Sequence, residues 1–146
     1  MNNGFTITYN SIESIYYFEV VVYNESNGKS KKVIAILDTG SDTSLVSEKI
    51  INEIELRKIN EGKNERESAG GIYNANEYMV NVELPESCFV NKLRVQSSKI
   101  TVADFIIGTD VLSKGNLYIT NTLGKTIIRF KKRCCNKSHA PPKVYS

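Results

Sequence analysis

A short polar loop between a strand-like run and a helix-like run is the most constraining feature of this sequence. The segment Val33 to Ser47 reads VIAILDTGSDTSLVS, so that Asp38 comes directly after five apolar residues. A carboxylate in such a position lies in a dry, hydrogen-bonded setting, where it is suited to acid and base chemistry. The rest of the chain is therefore interpreted as support for Asp38, and an enzyme is the first hypothesis.

The residues after Asp38 predict how its carboxylate is held. Gly40 has no Cβ, so its backbone N–H can approach the carboxylate closely, and the Ser41 hydroxyl is expected to donate to the outer oxygen. Both donors favour the ionised carboxylate. The Thr39 hydroxyl is expected to fix the loop against a neighbouring backbone.

A single oriented Asp is a weak catalyst for amide hydrolysis, because that reaction needs a base for the water and an acid for the leaving group. Two carboxylates that share one proton meet both needs. The chain has one Asp-Thr-Gly, no Asp-Ser-Gly, and too few residues for a second lobe. The second Asp38 would have to come from another copy across a two-fold axis, so this hypothesis requires a homodimer.

Length and composition favour one β-rich domain. The 146 residues suffice for a single core, and eight Tyr and five Phe, together with many Ile and Val, favour strands. We expect a domain over residues 1–131 and a basic tail over residues 132–146 that is extended or poorly ordered. The formal charge of +3 is modest and lies largely near the C-terminus, so nucleic acid is an unlikely partner.

The sequence also predicts the compartment. Its start, MNNGFTITYN, lacks the basic and apolar regions of a signal peptide, and no apolar run has the length of a membrane span. Three cysteines without a framework spacing favour reduced thiols over disulfides. We therefore expect a cytoplasmic protein that does not contact the membrane.

Alternation and runs of β-branched or aromatic residues predict most of the secondary structure. A helix of two to three turns is expected within residues 45–56, and a short helix or turn, ended by Gly115, within residues 109–115. Asn27-Gly28 is expected to supply positive φ at both centres of a hairpin turn, and Gly70-Gly71 to form a hairpin tip. Strands are predicted at residues 4–9, 15–23, 31–37, 72–85, 89–95, 100–108, 116–120 and 126–130.

Two linked motifs carry a resemblance to a known family. LDTGS, which contains Asp38, is followed some seventy residues later by ADFIIGTDVL, which contains Ile107 and Gly108. This pair resembles the retropepsin-like aspartic proteases, single-domain dimeric relatives of pepsin, and the order of motifs matches from about Tyr16 to Phe130. The chain is most similar to the stand-alone bacterial members.

The resemblance implies an all-β acid-protease fold, a closed barrel with one or two short helices, that acts as a homodimer on peptide or protein substrates without a cofactor or metal. It implies that Asp38 is catalytic and that Thr39, Gly40 and Ser41 support it. It also implies a mobile flap around Gly70-Gly71. The residues implied to bind substrate are Asp42, Ala69, Gly70, Gly71, Ile72 and Ile107.

One position departs from the retroviral pattern. Retroviral members typically carry an Arg at the position of Thr109, and that Arg pairs with the Asp at the position of Asp42. Thr109 cannot form this ion pair, so Asp42 is left to bind substrate backbone or a different Arg.

Other interpretations of the same residues stay open. Asp38 could be an ordinary turn or capping residue, and the chain could be an inactive dimeric module that holds a peptide in the same groove. The basic residues from Arg129 onward could serve a nucleic-acid adaptor. A metal site from Asp38, Asp104 and Asp110, or from Cys134, Cys135 and His139, is disfavoured by the ligand spacing.

Overall fold

The structure is a computed structural model that describes residues 2–59, 64–68, 71–99 and 102–133. It contains eleven strands, two short helices and one 3-10 turn at Pro85–Ser87. The helices are α1 (Glu48–Glu53) and α2 (Thr109–Leu112). The strands are β1 (Gly4–Tyr9), β2 (Tyr16–Tyr23), β3 (Ser30–Leu37), β4 (Leu45–Ser47), β5 (Asn64–Ser68), β6 (Gly71–Ala75), β7 (Glu77–Leu84), β8 (Cys88–Ser98), β9 (Phe105–Ile107), β10 (Gly115–Thr122) and β11 (Lys125–Lys132).

Six of the strands close into a barrel in the order β2-β3-β9-β4-β8-β7. Most neighbours are antiparallel, but β9 runs parallel to β3 and β4 runs parallel to β8. The predicted all-β closed barrel with short helices is therefore confirmed.

Alternation along the strands fills the barrel. In β7, Tyr78, Val80, Val82 and Leu84 are all buried, as their spacing predicts. The core also contains Cys88, which is fully buried as a free thiol and whose pKa is raised by that burial. Cys134 and Cys135 lie outside the described residues.

A separate three-stranded sheet has the order β1-β11-β10. Its inner face, with Phe5, Ile128 and Phe130, packs into the same core as the barrel. The opposite side, here called the outer face, consists of alternate residues on all three strands. These are Thr6 and Thr8 of β1, Lys125, Ile127, Arg129 and Lys131 of β11, and Asn116, Tyr118, Thr120 and Thr122 of β10.

The two outer strands of this sheet end differently. The free edge of β1 is covered at Thr6, whose N–H donates to the Glu86 carboxylate over 2.6 Å. Glu86 and Ser87 both have φ of 58°, in the left-handed region, and Asn2 donates to the Glu86 carbonyl at 2.6 Å. Strand β10 pairs only with β11 among the strands that the structure describes.

One predicted helix is shorter than expected. The helix within residues 45–56 is confined to Glu48–Glu53, because Leu45–Ser47 is a strand between β8 and β9. Backbone hydrogen bonds to two neighbours outweigh the helical period there. The Ser47 hydroxyl then accepts the Ile50 N–H at 3.4 Å and caps the helix at its start.

The turns also differ from the predictions. The β2–β3 connection spans residues 24–29, with the Asn24 N–H donating to Lys29 O, and only Gly28 has positive φ. The tight two-residue turn lies instead at Leu123-Gly124, whose φ values are 54° and 74°. Gly115 begins β10 and does not end α2, which stops at Leu112 with Ser113 as its C-cap.

Strands β5 and β6 form a two-stranded hairpin in which Ser68 pairs with Gly71. The predicted hairpin around Gly70-Gly71 is thus present, although Ala69 and Gly70 lie outside the described residues. Its base is tied to the barrel, since the Ile59 N–H donates to Glu77 O at 2.9 Å and the Ser97 N–H to Asn76 O at 3.0 Å. Neither described helix has the length and hydropathy to span a membrane.

Candidate active site

Asp38 is the first residue after β3, and its backbone is fixed to a neighbouring strand. The Asp38 N–H donates to the Ile107 carbonyl at 2.9 Å, where β3 and β9 run parallel. The Ile107 side chain is only 1% exposed. A rigid, buried strand pair therefore carries the residues that follow, here called the Asp38 loop (residues 38–44).

The Asp38 carboxylate is held by the loop itself. The Gly40 N–H donates to Asp38 Oδ1 at 2.8 Å, which is the hydrogen bond that the sequence predicts. The Ser41 N–H donates to the Asp38 carbonyl at 3.3 Å and closes the turn. Asp38 is partly exposed, so its oriented carboxylate remains accessible from solvent.

Two predicted contacts of the Asp38 loop are wrong. The Ser41 hydroxyl donates to the Thr43 carbonyl at 2.7 Å and not to the Asp38 carboxylate, because the turn directs it along the loop. The Thr39 side chain is exposed and makes no hydrogen bond to another residue in the described part of the chain. Ser41 therefore supports the loop backbone, whereas the Thr39 hydroxyl has no hydrogen-bond partner among the described residues.

Gly108 is where the second motif meets the Asp38 loop. A Cβ at this position would lie 2.6 Å from the Ser41 carbonyl oxygen and 2.9 Å from the Thr43 carbonyl carbon. The Thr109 N–H donates to the same Ser41 oxygen at 2.7 Å. Only glycine allows this approach, which explains why an apolar strand ending in Gly accompanies the Asp-Thr-Gly-Ser turn.

Ser44 and Asp110 lock the loop to α2, and the sequence did not predict this pair. The Asp110 carboxylate accepts the Ser44 N–H at 2.9 Å, the Ser44 hydroxyl at 2.7 Å and the Val111 N–H at 2.9 Å. The Ser44 hydroxyl, fully buried, also accepts the Gly108 N–H at 3.0 Å. Asp110 stands within the second motif, which was the available signal, whereas nothing in the sequence marks Ser44.

A second carboxylate also has a structural contact. Asp104 accepts the Ser47 hydroxyl at 3.1 Å, and the Ser47 N–H donates to the Asp104 carbonyl at 2.9 Å. Asp104 and Asp110 are therefore both engaged with serines of the chain around the Asp38 loop. Within the described ranges, no three His, Cys, Asp or Glu side chains lie together as a metal site. Cys134, Cys135 and His139 lie outside those ranges.

The residues predicted to bind substrate fall into three groups. Asp42 is exposed and forms no ion pair with a described basic residue, so Thr109 indeed leaves it without the retroviral partner. The Ile107 side chain lies in the core and supports the loop from below, and its contact with substrate stays a prediction. Gly71 and Ile72 begin β6 of the hairpin, and Ala69 and Gly70 lie outside the described residues.

One strand connects the hairpin base to the Asp38 loop. Gln96 of β8 pairs with Glu77 on one side and with Leu45 on the other. Its N–H donates to the Ser44 carbonyl at 3.1 Å. The base of the hairpin and the end of the Asp38 loop thus share a single rigid neighbour.

Solved structures of aspartic proteases share this fold. The chain superposes on the EIAV protease in complex with the inhibitor HBY-793 with a TM-score of 0.55 and 23% identity, over 73% of this chain and 92% of that one. It superposes on a retropepsin-like aspartic protease from Rickettsia conorii with a TM-score of 0.59 and 12% identity, over 88% of this chain and 93% of that one. No protein-family model and no curated protein sequence matches the chain significantly. The fold is therefore retropepsin-like, and at these identities the likeness establishes the fold alone.

Proposed function

We propose that this protein is an aspartic endopeptidase whose active site forms between two copies of the chain, each of which contributes Asp38. The observation that carries the proposal is the Asp38 carboxylate itself, oriented by the Gly40 N–H at the end of a buried strand in a retropepsin-like fold. Its partial exposure leaves it open to a water molecule and to a second carboxylate.

The reaction follows from the needs of amide hydrolysis. One Asp38 carboxylate accepts a proton from water as the water oxygen attacks the peptide carbonyl carbon. The other Asp38, protonated, donates a hydrogen bond to the carbonyl oxygen, where negative charge develops. A proton is then delivered to the leaving nitrogen as the C–N bond breaks.

A homodimer is part of this proposal because the chain carries one Asp-Thr-Gly turn. Thr39, Gly40 and Asp42 are exposed beside Asp38, which leaves the surface around the carboxylate uncovered in a single copy. The Thr39 hydroxyl, without a hydrogen-bond partner in its own described chain, is suited to bond across the two-fold axis.

Substrate is proposed to lie extended over the Asp38 loop, held by strand-like backbone hydrogen bonds. The β5–β6 hairpin would close over it as a flap, with contacts from Ala69, Gly70, Gly71 and Ile72. Asp42 would accept hydrogen bonds from the substrate backbone. We further propose a stand-alone enzyme of the bacterial type that works in the reducing cytoplasm.

The decisive variant is Asp38→Asn, which keeps the shape of the side chain and removes its charge. Peptide cleavage, followed by mass spectrometry with a mixture of unfolded proteins as substrate across acidic and neutral pH, should be abolished. The matched control is Glu25→Gln, a charge-neutralising change at an exposed turn residue in the β2–β3 connection. It should cleave like the parent protein.

Mixing the two chains tests the shared site. If both Asp38 residues are needed, equal amounts of parent and Asp38→Asn chains that exchange subunits leave about one quarter of the dimers active. Independent sites would leave about half of the activity. A parent protein that cleaves nothing, yet binds peptides equally well with and without Asp38→Asn, would instead identify a binding module.

A further inference from the structure

The last two strands of this protein lie in a stretch of sequence that has basic residues but no acidic ones. The whole chain has 19 Lys and Arg against 16 Asp and Glu. Between Ser113 and Arg133, which spans β10 and β11, there are six basic residues and no acidic one. Strand β1, the third member of the sheet, has no charged residue. The small net charge of the chain therefore conceals a strong local asymmetry.

The fold sorts three of these cations onto the outer face. Lys125, Arg129 and Lys131 are separated by even numbers of residues on β11, so they project to the same side as Ile127. All three are exposed, and none forms an ion pair with a residue that the structure describes. By contrast, Lys29, Lys31, Lys32 and Arg94 of the barrel all face carboxylates within 4.0 Å. The outer face thus carries three cations that have no ion pair among the described residues.

An aromatic ring lies among these charges. Tyr118 of β10 is 60% exposed and pairs across the strands with Arg129. The cross-strand neighbours on either side are hydroxyl and amide residues, Thr6 of β1 opposite Arg129, Thr120 opposite Ile127, and Asn116 opposite Lys131. The face therefore offers a flat ring, cations and hydrogen-bond donors in regular rows.

Two shallow depressions meet at the same pair of residues. One, of about 280 Å³, is lined by Tyr118, Thr120, Ile127 and Arg129. The other, of about 490 Å³, is lined by Tyr118, Arg129 and Lys131 and also by the carboxylate residue Glu86. The Glu86 carboxylate accepts the Thr6 N–H, so part of its hydrogen-bonding capacity is already used by the fold.

We propose that the outer face binds single-stranded nucleic acid, with bases stacked on Tyr118 and phosphates held by Arg129, Lys131 and Lys125. Stacking on exposed aromatic rings beside a cationic track is how proteins bind single strands without reading their sequence. Side chains two residues apart on a strand lie about 7 Å from one another, so Arg129 and Lys131 contact separate phosphates. The site does not involve Asp38 and is independent of the proposed proteolysis.

Other anionic partners fit this face less well. An anionic membrane would call for large aliphatic side chains to enter the bilayer, and Ile127, itself half-buried, is the single aliphatic residue of the outer face. An acidic protein segment would use the cations but gain little from a ring flanked by threonines. The combination of exposed Tyr118 with unpaired cations favours nucleotides.

Fluorescence anisotropy of the full-length protein with labelled oligo(dT) and oligo(U), each of about 12 nucleotides, tests the proposal within the site sizes known for single-strand binders. We expect binding that weakens as salt is raised. The double variant Arg129→Gln/Lys131→Gln should bind at least about tenfold more weakly, and the slope of log K against log salt should fall in magnitude by about 1.4. Tyr118→Ala should weaken binding by about fivefold or more, and Tyr118→Phe should restore most of it.

The matched control is Lys31→Gln/Lys32→Gln, which removes the same charge from the barrel and should change affinity by less than about twofold. Asp38→Asn should bind like the parent protein. Preference for one of the two oligonucleotides would report on the 2′-hydroxyl and the thymine methyl together, and either preference supports the proposal.

Three results would overturn it. The first is a folded parent protein that binds neither oligonucleotide at low salt. The second is an equal loss of binding in the Lys31→Gln/Lys32→Gln control. The third is an affinity that Tyr118→Ala leaves unchanged, or an equal affinity for anionic phosphatidylserine vesicles or for polyglutamate. A purely electrostatic surface would give either result.

Discussion

Around the Asp38 loop, polar side chains form hydrogen bonds within the protein. Ser44 and Asp110 are hydrogen-bonded to each other and to the backbone N–H groups of Gly108 and Val111. On the outer face, Arg129 and Lys131 have no ion-pair partner among the described residues. The hydrogen bonds of Ser44 and Asp110 restrict the backbone of the loop that positions the Asp38 carboxylate. The cations of the outer face point to solvent and are accessible to a ligand. We therefore expect substitutions around the Asp38 loop to lower the free energy of unfolding, whereas loss of the cations on the outer face should leave it nearly unchanged.

The largest effect is expected from Gly108→Ala. The added Cβ would lie 2.6 Å from the Ser41 carbonyl oxygen, so that the Asp38 loop must shift or β9 must separate from it. We expect a loss of about 3 kcal/mol in the free energy of unfolding, measured by urea denaturation.

Gly40→Ala is the matched control for this substitution. A Cβ at Gly40 meets only the Asp38 Oδ1 atom, at 3.2 Å, and a side chain can move. Stability should fall by less than about 1 kcal/mol, whereas peptide cleavage should be impaired. Equal stability of Gly108→Ala and the parent protein would show that the loop does not pack on β9 as described.

Ser44→Ala should give the next largest effect. Ser44 is fully buried, and without its hydroxyl the Gly108 N–H loses its acceptor and Asp110 loses a donor. We expect a loss of about 1–3 kcal/mol in the free energy of unfolding by urea denaturation. Ser14→Ala, at an exposed serine, should stay within about 0.5 kcal/mol of the parent. A similar result for both serines would contradict the locking role of Ser44.

Tyr78 extends the comparison to alkaline pH. Tyr78 is buried in the barrel, and that burial raises its pKa above 10.0, partly opposed by a hydrogen bond with Asn76. Because the folded chain then keeps a proton that the unfolded chain releases, stability contributed by Tyr78 is present below pH 10.0 and falls above it, at up to about 1.4 kcal/mol per pH unit.

Tyr78→Phe should therefore flatten the dependence of the free energy of unfolding on pH between about pH 9.5 and 11.5. Urea denaturation of Tyr78→Phe and of the parent protein at a series of pH values measures this difference. Parallel curves for Tyr78→Phe and the parent would show that the Tyr78 ring is not buried as the structure has it.

The smallest effect on stability is expected from Arg129→Gln/Lys131→Gln. These exposed cations form no ion pair with a residue that the structure describes, so the free energy of unfolding should stay within about 0.5 kcal/mol of the parent. Thermal and urea denaturation would detect a larger change. A loss beyond about 1 kcal/mol would mean that the outer face contributes to folding and is not reserved for binding.

Local patterns predicted most of the strands but not how they join. The alternation from Tyr78 to Leu84 predicted which face of the strand is buried. The Asp-Thr-Gly-Ser motif predicted the hydrogen bond from the Gly40 N–H to the Asp38 carboxylate. The position of β4 between β8 and β9 depends on partners distant in sequence, which is why Leu45–Ser47 was predicted as helix. Strand pairing overrides local periodicity at this point.

The candidate site shows the same limit. Gly108 ends the apolar run of the second motif, yet the reason for a glycine there, its contact with Ser41 and Thr43, becomes visible only when the two segments meet. Ser44 looks like any loop serine in the sequence, and its importance comes from Asp110, 66 residues away. Ser41 was assigned to the wrong acceptor because a turn decides where a short side chain points.

Glu86 has a consequence for assembly. By occupying the Thr6 N–H, its carboxylate blocks strand addition at the β1 side of the three-stranded sheet, while β10 has no described neighbour on its other side. A sheet that can be extended in one direction only joins a like sheet once, edge to edge about a two-fold axis, and then stops. A sheet with two open edges would instead polymerise into filaments. We therefore expect any association through this sheet to form closed pairs, with Glu86 capping the β1 edge at Thr6.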